Sequence, residues 1–203
     1  MTGGLTAPAR LVLASGSPRR QQLLRSVGVH FTSVAPDIDE RPQEGEEPVP
    51  YVERLARQKA LAVPVEPGDV VVAADTTVAL GPRILGKPAD VDDARRMLRD
   101  LSGRSHDVHT AVAVRVDGRV VSTVVTTRVS MVELSDDDLD WYVATGESLD
   151  KAGAYALQEG GGLLVDRIEG SASNVVGLPL AVMAGLLADE GYPLSRFRAP
   201  TMP

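Results

Sequence analysis

The feature that most constrains the fold is the stretch "DVHTAVAVRVDGRVVSTVVTTRVSMVEL" (107–134), in which apolar residues recur mostly at every second position. Such alternation is typical of strands with one buried face. Asp117-Gly118, at the centre of the stretch, is typical of the two-residue turn that joins antiparallel strands. A long antiparallel hairpin excludes a purely parallel sheet. The sequence therefore predicts a mixed sheet within an α/β fold.

Helices and strands interleave on both sides of this hairpin. The first strand leads into a helix that begins with Ser17 as cap and Pro18 in the first helical position. Caps at Asp90 and Ser135 predict the starts of two later helices. Since no repeat or linker is visible, we expect one domain over 1–203, with a frayed end from 194 onward. The remaining predictions are strands at 10–15, 30–36, 68–80 (interrupted by the polar triplet 75–77), 153–157 and 162–170, and helices at 49–63 and 178–191.

Composition excludes several classes of function. A formal net charge of -7 argues against a nucleic-acid-binding surface, but leaves room for a small anion in a locally positive pocket. The absence of cysteine excludes disulfides, thiolate nucleophiles and cysteine zinc sites. No apolar run reaches membrane length. We therefore expect a cytoplasmic protein that associates with neither membranes nor nucleic acid.

The segment "SGSPRR" (15–20) places Arg19 and Arg20 in the first turn of a predicted helix. Cations there are unfavourable beside the positive end of the helix dipole unless an anion offsets them. Free backbone N–H groups, small residues and two guanidiniums could together hold phosphate oxygens. The alternative is a surface loop whose arginines make ordinary ion pairs. The residues alone leave both interpretations open.

Two carboxylates are candidates for chemistry. Asp75 follows an otherwise apolar run in "VVVAADTTV", and a buried carboxylate there must be paired, hydrogen-bonded or bound to metal. It could be a metal ligand or the base that activates water, or a simple turn residue. Glu40, in the polar loop "DIDE", is a second-ligand candidate only if a divalent ion and a phosphate lie nearby.

Small residues surround Lys151, Tyr155 and Gln158 in "DKAGAYALQEGGG". They would let a ligand approach the backbone, and the Gln158 amide both donates to and accepts from the edge of a base. The alternative is a glycine-rich turn between strands.

Two other patterns are rejected as sites. The acids after Ser135 are explained by helix capping. His106 and His109 stand three apart in a predicted strand, which points them to opposite faces.

Several segments occur together in an order and spacing that resembles the Maf-like proteins, a family of nucleoside triphosphate pyrophosphatases. They are "LASGSPRRQQLL", "RLARQKA", "AADTTV", "LGKPAD", "LSGRSHDVHTAV", "DKAGAYALQ" and "GSASNVVGLP". The resemblance covers about Leu11 to Leu187. It implies an elongated, two-lobed architecture with a central cleft, related to the inosine triphosphatases, in which a mixed sheet is flanked by helices. It also implies a homodimer.

The resemblance assigns roles to individual positions. Ser15, Arg19 and Arg20 correspond to the phosphate-binding loop. Glu40 falls on the acidic position associated with a divalent ion, Mg²⁺ or Mn²⁺, and Asp75 on the catalytic base or metal ligand. Two of the three lysines in the chain, Lys59 and Lys87, fall on positions that face the phosphates.

The family has branches that differ in substrate, and "DTTV" and "GAYALQ" resemble the branch that hydrolyses dTTP and UTP to the monophosphate and pyrophosphate. Thr76, Gln158 and one of the tandem arginines are then the specificity positions. Glu159 stands where we expect a glycine, and its carboxylate could face the base or point outward. The alternatives are the same chemistry on 7-methyl-GTP or inosine triphosphate, and a nucleotide-binding regulator of cell division without turnover.

Overall fold

The structure, a computed structural model, describes residues 9–198. Its strands are β1 (Leu11–Ala14), β2 (Thr32–Val34), β3 (Val70–Leu80), β4 (Arg83–Leu85), β5 (Ser105–Val116), β6 (Arg119–Met131) and β7 (Val165–Glu169). Its α-helices are α1 (Pro18–Ser26), α2 (Pro48–Ala62), α3 (Val91–Leu101), α4 (Asp136–Ala144), α5 (Ala172–Val176) and α6 (Leu180–Asp189). Short 3₁₀ helices cover Ala152–Ala154, Glu159–Leu164 and Leu194–Phe197.

The predicted mixed sheet is confirmed. It has seven strands in the order β2-β1-β3-β5-β6-β7, with β4 beside the second half of β3. β1 pairs in parallel with β2 and β3, and every other pair is antiparallel. β5 and β6 form the predicted hairpin, whose two turn residues, Asp117 and Gly118, have φ values of 47° and 81°. Positive φ at both central residues is what a type I′ turn requires.

Local capping chemistry explains two helix starts, as predicted. Asp90 accepts a hydrogen bond from the Asp93 backbone N–H, and Ser135 forms a reciprocal capping box with Asp138. α1 begins after Ser17 with Pro18 as its first residue, but the Ser17 hydroxyl makes no capping bond. Instead, the Ser17 N–H donates to the Ser15 hydroxyl at 3.2 Å.

Three predictions of secondary structure are wrong. β3 runs without interruption through Asp75–Thr77, because β5 pairs with it along Val70–Ala79. Residues 153–157 do not form a strand, since Gly153 and Ala154 take positive φ values of 70° and 61° in a 3₁₀ turn. The end of the chain is not frayed over 194–198, where Phe197 is buried in a 3₁₀ turn. Residues 199–203 lie outside the described part.

Apolar clusters divide the protein into two halves along the long strands. In the first half, α2 packs on one face of the sheet, and α1 with α6 on the other. In the second half, α3, α4 and the 3₁₀ helices Ala152–Ala154 and Glu159–Leu164 pack against the far ends of β3, β5 and β6. Ala74 belongs to the first half and Val78 to the second, so Asp75, Thr76 and Thr77 lie at the boundary. This agrees with the two-lobed architecture.

None of the helices within residues 9–198 has both the length and the apolar character that a membrane span requires.

Candidate active site

One cleft of about 590 Å³ lies at the boundary between the two halves. Each residue that the sequence suggested for a site lines it, although the segments that supply them are far apart in the chain. These residues are Ser15, Arg19, Arg20, Glu40, Lys59, Asp75, Thr76, Lys87 and Gln158. The fold therefore brings all nine together, and their individual roles remain predictions.

Elements from both halves position these side chains. Ser15 follows the carboxyl end of β1, and Arg19 and Arg20 occupy the first turn of α1. Lys59 lies in the last turn of α2, on the face that packs against the sheet. Asp75 and Thr76 lie inside β3, where the two apolar halves meet. Gln158 precedes the 3₁₀ helix Glu159–Leu164, on the opposite wall.

The Lys59 ammonium joins two carboxylates in the cleft. Its Nζ donates to Asp75 Oδ1 at 2.6 Å and lies 2.7 Å from Glu40 Oε1. The side chains of Lys59 and Asp75 are 7% and 8% exposed, whereas that of Glu40 is 52% exposed. Burial raises the pKa of Asp75 above its usual range, and the neighbouring Lys59 and Arg20 only partly oppose that shift. A carboxylate of raised basicity suits a proton acceptor.

The donor set of Glu40 and Asp75 suits a hard divalent cation. Among the described residues there is no cluster of three or more His, Cys, Asp or Glu side chains that could form a complete metal site. Mg²⁺, however, is commonly bound by one or two carboxylates together with substrate phosphates and water. Both carboxylates contact the same positive charge, the Lys59 ammonium. Their arrangement therefore favours positive charge between them. The residues present therefore fit a metal that arrives with the substrate.

The tandem arginines are used differently. Arg20 is held inside the protein, where its guanidinium donates to the Gly177 carbonyl at 2.7 Å, the Thr76 hydroxyl at 3.0 Å and the Ser15 hydroxyl at 3.3 Å. The side chain of Arg19 makes no hydrogen bond within residues 9–198. Its nearest charged partner is Asp150, at 3.8 Å from Nη1 to Oδ2. Arg19 thus keeps all of its guanidinium donors available for a ligand, whereas Arg20 uses three of its five N–H groups within the protein.

A polar layer crosses the sheet beneath Arg20. The hydroxyls of Thr76 and Thr110, directly opposite each other on β3 and β5, lie 2.9 Å apart. Thr110 also donates to the Asn174 carbonyl at 2.9 Å, and the Asn174 side chain donates to the Val108 carbonyl and the Thr127 hydroxyl. The short helix α5, which sequence patterning missed, is thereby attached to the floor of the cleft.

On the opposite wall, Gln158 is partly exposed, and its amide makes no side-chain hydrogen bond within residues 9–198. Glu159 has a φ of 63°, which glycine adopts without strain, and this explains why a glycine is expected there. Its side chain is exposed and lies outside the described cleft lining. Glu159 is therefore not part of the cleft lining.

Positive side chains outnumber negative ones in the cleft, although the chain as a whole is acidic. Five basic residues line it, namely Arg19, Arg20, Lys59, Lys87 and Lys151, against the acids Glu40, Asp75 and Asp150. The formal net charge of the whole chain is -7. A locally positive cleft with hydrogen-bond donors on several walls is suited to a polyanion.

Two ionisable residues of the cleft were given no role by the sequence reasoning. Asp150 accepts a hydrogen bond from Lys151 Nζ at 2.7 Å and faces Arg19 across the cleft. Tyr51 donates its hydroxyl to the Glu40 carbonyl at 2.9 Å and so fixes the backbone of the acidic loop. Burial raises the pKa of Tyr51 to about 12, so its hydroxyl remains a donor at neutral pH. Asp150 is the first residue of the noted "DKAGAYALQ" segment, although no role was assigned to it, whereas nothing in the sequence marks Tyr51.

The family model and the curated relatives agree with each other. A family model described as Maf-like protein matches residues 10–190. The dTTP/UTP pyrophosphatase of Anaeromyxobacter dehalogenans (strain 2CP-1 / ATCC BAA-258) is 56% identical over 189 residues, covering 91% of this chain and 96% of the relative. The dTTP/UTP pyrophosphatase of Myxococcus xanthus (strain DK1622) is 55% identical over 186 residues, covering 91% and 94%. A solved nucleoside-triphosphatase / dITP/XTP pyrophosphatase from Mycobacterium abscessus aligns with 62% of this chain and 75% of its own, at 20% identity and a TM-score of 0.41.

Proposed function

The chain belongs to the Maf-like protein family, and from that premise we propose that it hydrolyses dTTP and UTP to the nucleoside monophosphate and pyrophosphate. The observation that carries the proposal is the convergence of all nine candidate residues on one locally positive cleft. The cleft volume of about 590 Å³ lies in the range typical of small-molecule sites. Relatives at 56% and 55% identity bear the name dTTP/UTP pyrophosphatase.

The proposed reaction is an in-line displacement at the α-phosphorus. The oxygen of a water molecule forms a bond to that phosphorus while the bond to the oxygen bridging the α- and β-phosphates breaks. The bond electrons leave with pyrophosphate, and the proton of the water passes to the Asp75 carboxylate. Asp75 is suited to this role because Oδ1 is held by Lys59, while Oδ2 makes no hydrogen bond within residues 9–198. Its raised pKa favours proton uptake.

Cations in the cleft stabilise the charge that develops on the leaving pyrophosphate. Arg19 and Lys87 line the cleft without a hydrogen bond from either side chain within residues 9–198, so their donors are available to phosphate oxygens. Lys59 supplies a buried ammonium beside Asp75. Preorganised donors of this kind act where charge develops, and losing one typically reduces turnover about 10²–10³-fold.

Glu40 and Asp75 are the residues that would hold a Mg²⁺ or Mn²⁺ ion together with phosphate oxygens. Such an ion would neutralise negative charge on the phosphates and polarise them toward attack. In the protein alone, the Lys59 ammonium supplies the charge that keeps the two carboxylates together. The half-exposed position of Glu40 makes it the better anchor for an arriving ion, which leaves Asp75 near the water.

Recognition of the base is assigned to Gln158 and Thr76. The unbonded amide of Gln158 can donate to and accept from a pyrimidine edge. Thr76 is positioned by Arg20 and Thr110, so its location is fixed by the frame of the cleft. Arg20 is therefore the tandem arginine that contributes to specificity, and it acts by holding Thr76.

The proposal also includes features implied by the family resemblance. The catalytic unit is one domain over 1–203 with its core at about 11–187, it forms a homodimer, and it acts in the cytoplasm without a nucleic-acid or membrane partner. The absence of cysteine supports the cytoplasmic location, and the acidic net charge supports the lack of a nucleic-acid partner. Light scattering of the purified protein tests the dimer directly.

The decisive experiment incubates the protein with Mg²⁺ or Mn²⁺ and a panel of triphosphates, and resolves the products by chromatography. We expect monophosphate and pyrophosphate from dTTP and UTP, and no orthophosphate before a pyrophosphatase is added. The same products only from 7-methyl-GTP or inosine triphosphate would retain the chemistry and contradict the roles of Thr76 and Gln158. Nucleotide binding without hydrolysis would contradict the enzymatic proposal.

A pair of variants separates the two carboxylates. Glu40→Gln should raise the metal concentration needed for half-maximal activity and recover turnover at high Mn²⁺. Asp75→Asn should remain inactive at every metal concentration, because the proton acceptor is lost. Recovery of Asp75→Asn by metal would mean that Asp75 serves only as a metal ligand and is not the base.

A further inference from the structure

The wall of the cleft that carries Gln158 is a short segment without regular strand structure. Residues 155–158 all line the cleft, and they run between two 3₁₀ turns. Such a segment lacks the ladder of backbone hydrogen bonds that fixes a strand. Its position must therefore depend on individual contacts to the rest of the fold.

The first of these contacts is a buried hydrogen bond from β5. His106 Nε2 and the Tyr155 hydroxyl lie 2.7 Å apart, and the two rings meet edge to face with centroids 5.4 Å apart. His106 is 2% exposed and Tyr155 is 5% exposed. A single bond therefore joins the start of the wall segment to a strand at the centre of the sheet.

The next residue of the segment is clamped from two sides. The Ala156 N–H donates to the hydroxyl of Tyr142, a fully buried residue of α4, at 3.2 Å. A Cβ placed on Gly161 would lie 1.9 Å from the Ala156 carbonyl oxygen, so the backbone at Gly161 approaches this carbonyl as closely as only glycine permits. Earlier in the loop, the Gly153 N–H donates to the Gly86 carbonyl at 3.1 Å.

His106 fills this role only as a neutral ring. Its Nδ1 is buried and has no hydrogen-bond partner within residues 9–198. A neutral imidazole needs only one N–H, which either ring nitrogen can carry, whereas an imidazolium would bury a charge and an N–H without an acceptor. Burial lowers the pKa of His106 to about 4, and the nearby Asp107 only partly opposes this. The ring is therefore neutral at physiological pH.

We propose that His106 is a positioning residue for base recognition, because its buried hydrogen bond to Tyr155 fixes the wall segment 155–158 and thereby the amide of Gln158. This inference rests on the proposed function, in which Gln158 reads the pyrimidine. His106 touches no reacting atom. It acts on the substrate only through Tyr155 and the backbone that follows.

The test measures steady-state kinetics on dTTP and dCTP for Tyr155→Phe and His106→Leu. His106→Gln, which retains a hydrogen-bonding group, is the conservative variant, and Tyr192→Phe, a tyrosine outside the cleft, is the matched control. We expect Tyr155→Phe and His106→Leu to raise KM for dTTP about three- to tenfold with kcat nearly unchanged. The preference for dTTP over dCTP should fall, and His106→Gln should restore most of it.

The double variant His106→Leu/Tyr155→Phe can be measured if either single variant folds poorly. It removes both hydrogen-bonding partners and leaves an apolar pair, so no buried polar group remains without a partner. Its selectivity should be no worse than that of the single variants. A lower melting temperature with unchanged KM and selectivity in the folded variants would reduce His106 to a structural residue and overturn the proposal.

Hydrogen exchange separates this inference from the proposed function. If the wild-type protein hydrolyses neither dTTP nor UTP, the proposed function is wrong. The claim that the His106–Tyr155 hydrogen bond fixes the wall segment is then tested by hydrogen exchange alone. Faster exchange confined to the amides of 155–160 in Tyr155→Phe supports the role of the bond. Unchanged exchange there overturns it.

Discussion

The Lys59 ammonium and the Asp75 carboxylate form an ion pair at 2.6 Å in which both side chains are almost completely buried. Breaking such a pair from one side leaves the other charge desolvated without a partner. The two possible truncations are not equivalent, because Lys59 also contacts Glu40, whereas Asp75 makes no other side-chain ion pair within residues 9–198.

We therefore predict that substituting Lys59 mainly lowers stability, whereas substituting Asp75 mainly lowers activity. Lys59→Met should destabilise the protein by about 3–5 kcal/mol, since it leaves the buried Asp75 carboxylate without its ion-pair partner. Asp75→Asn should cost much less stability but reduce turnover at least about 10²-fold. Urea unfolding followed by circular dichroism, together with kcat measured at saturating dTTP, checks both. Equal destabilisation by the two variants would contradict the asymmetry.

Substitutions of Arg19 and Arg20 should likewise differ in their effects on stability and on activity. Arg20→Ala removes donors from the Gly177 carbonyl and two hydroxyls, and should destabilise the protein by about 2–3 kcal/mol. Arg19→Ala should leave the melting temperature nearly unchanged while raising KM for dTTP. Thermal unfolding and initial rates measured on the same preparations distinguish them. A stable Arg20→Ala protein would show that its three bonds contribute little.

Gly161 should tolerate no side chain. Its φ is not in the left-handed region, so the constraint is steric, from the Ala156 carbonyl oxygen 1.9 Å from an added Cβ. Gly161→Ala must displace the wall segment and should lower both the melting temperature and the selectivity for dTTP. Gly185→Ala is the matched control, because a Cβ at that helical position meets nothing within 4 Å. Helix propensity predicts that the control is slightly stabilising.

The parts of the fold that sequence predicted are those governed by neighbouring residues. The Asp117-Gly118 hairpin and the caps at Asp90 and Ser135 are set by local backbone chemistry. The continuity of β3 through Asp75 could not be predicted, because its buried carboxylate is compensated by Lys59 on α2. A polar triplet of this kind ends a strand unless distant groups satisfy it.

The same limit applies to the cleft. Linked motifs were enough to select nine of the residues that line it, but not to assign different roles to Arg19 and Arg20. That division depends on the Gly177 carbonyl, which lies at the end of α5, a helix of five residues. So short a helix gives no periodic signal. The tertiary bonds of Thr110 and Asn174 that attach it are equally invisible in sequence.

Stability should respond to pH through His106. Its folded-state pKa of about 4 lies below the usual value of 6.5, so between these values the unfolded chain binds more protons than the folded one. Stability therefore falls as the pH falls through this window. Relative to His106→Gln, the wild-type protein should lose up to about 3 kcal/mol between pH 6.5 and 4. Denaturant midpoints of both proteins across this range check the prediction. A pH-independent difference would mean that His106 is not desolvated.

Asp150 should compete with the substrate for Arg19. Its carboxylate is 70% exposed, is held by Lys151 and faces the Arg19 guanidinium at 3.8 Å, where an anionic phosphate would lie. Asp150→Asn keeps the shape and removes the charge, so KM for dTTP should fall, by no more than about fivefold because exposed pairs contribute at most about 1 kcal/mol. The effect should shrink at 0.5 M salt, since screening weakens the competition. Asp140→Asn makes the same change of net charge on α4, outside the cleft lining, and should leave KM unchanged. A rise in KM for Asp150→Asn would instead mean that Asp150 serves the substrate by holding Lys151 in place.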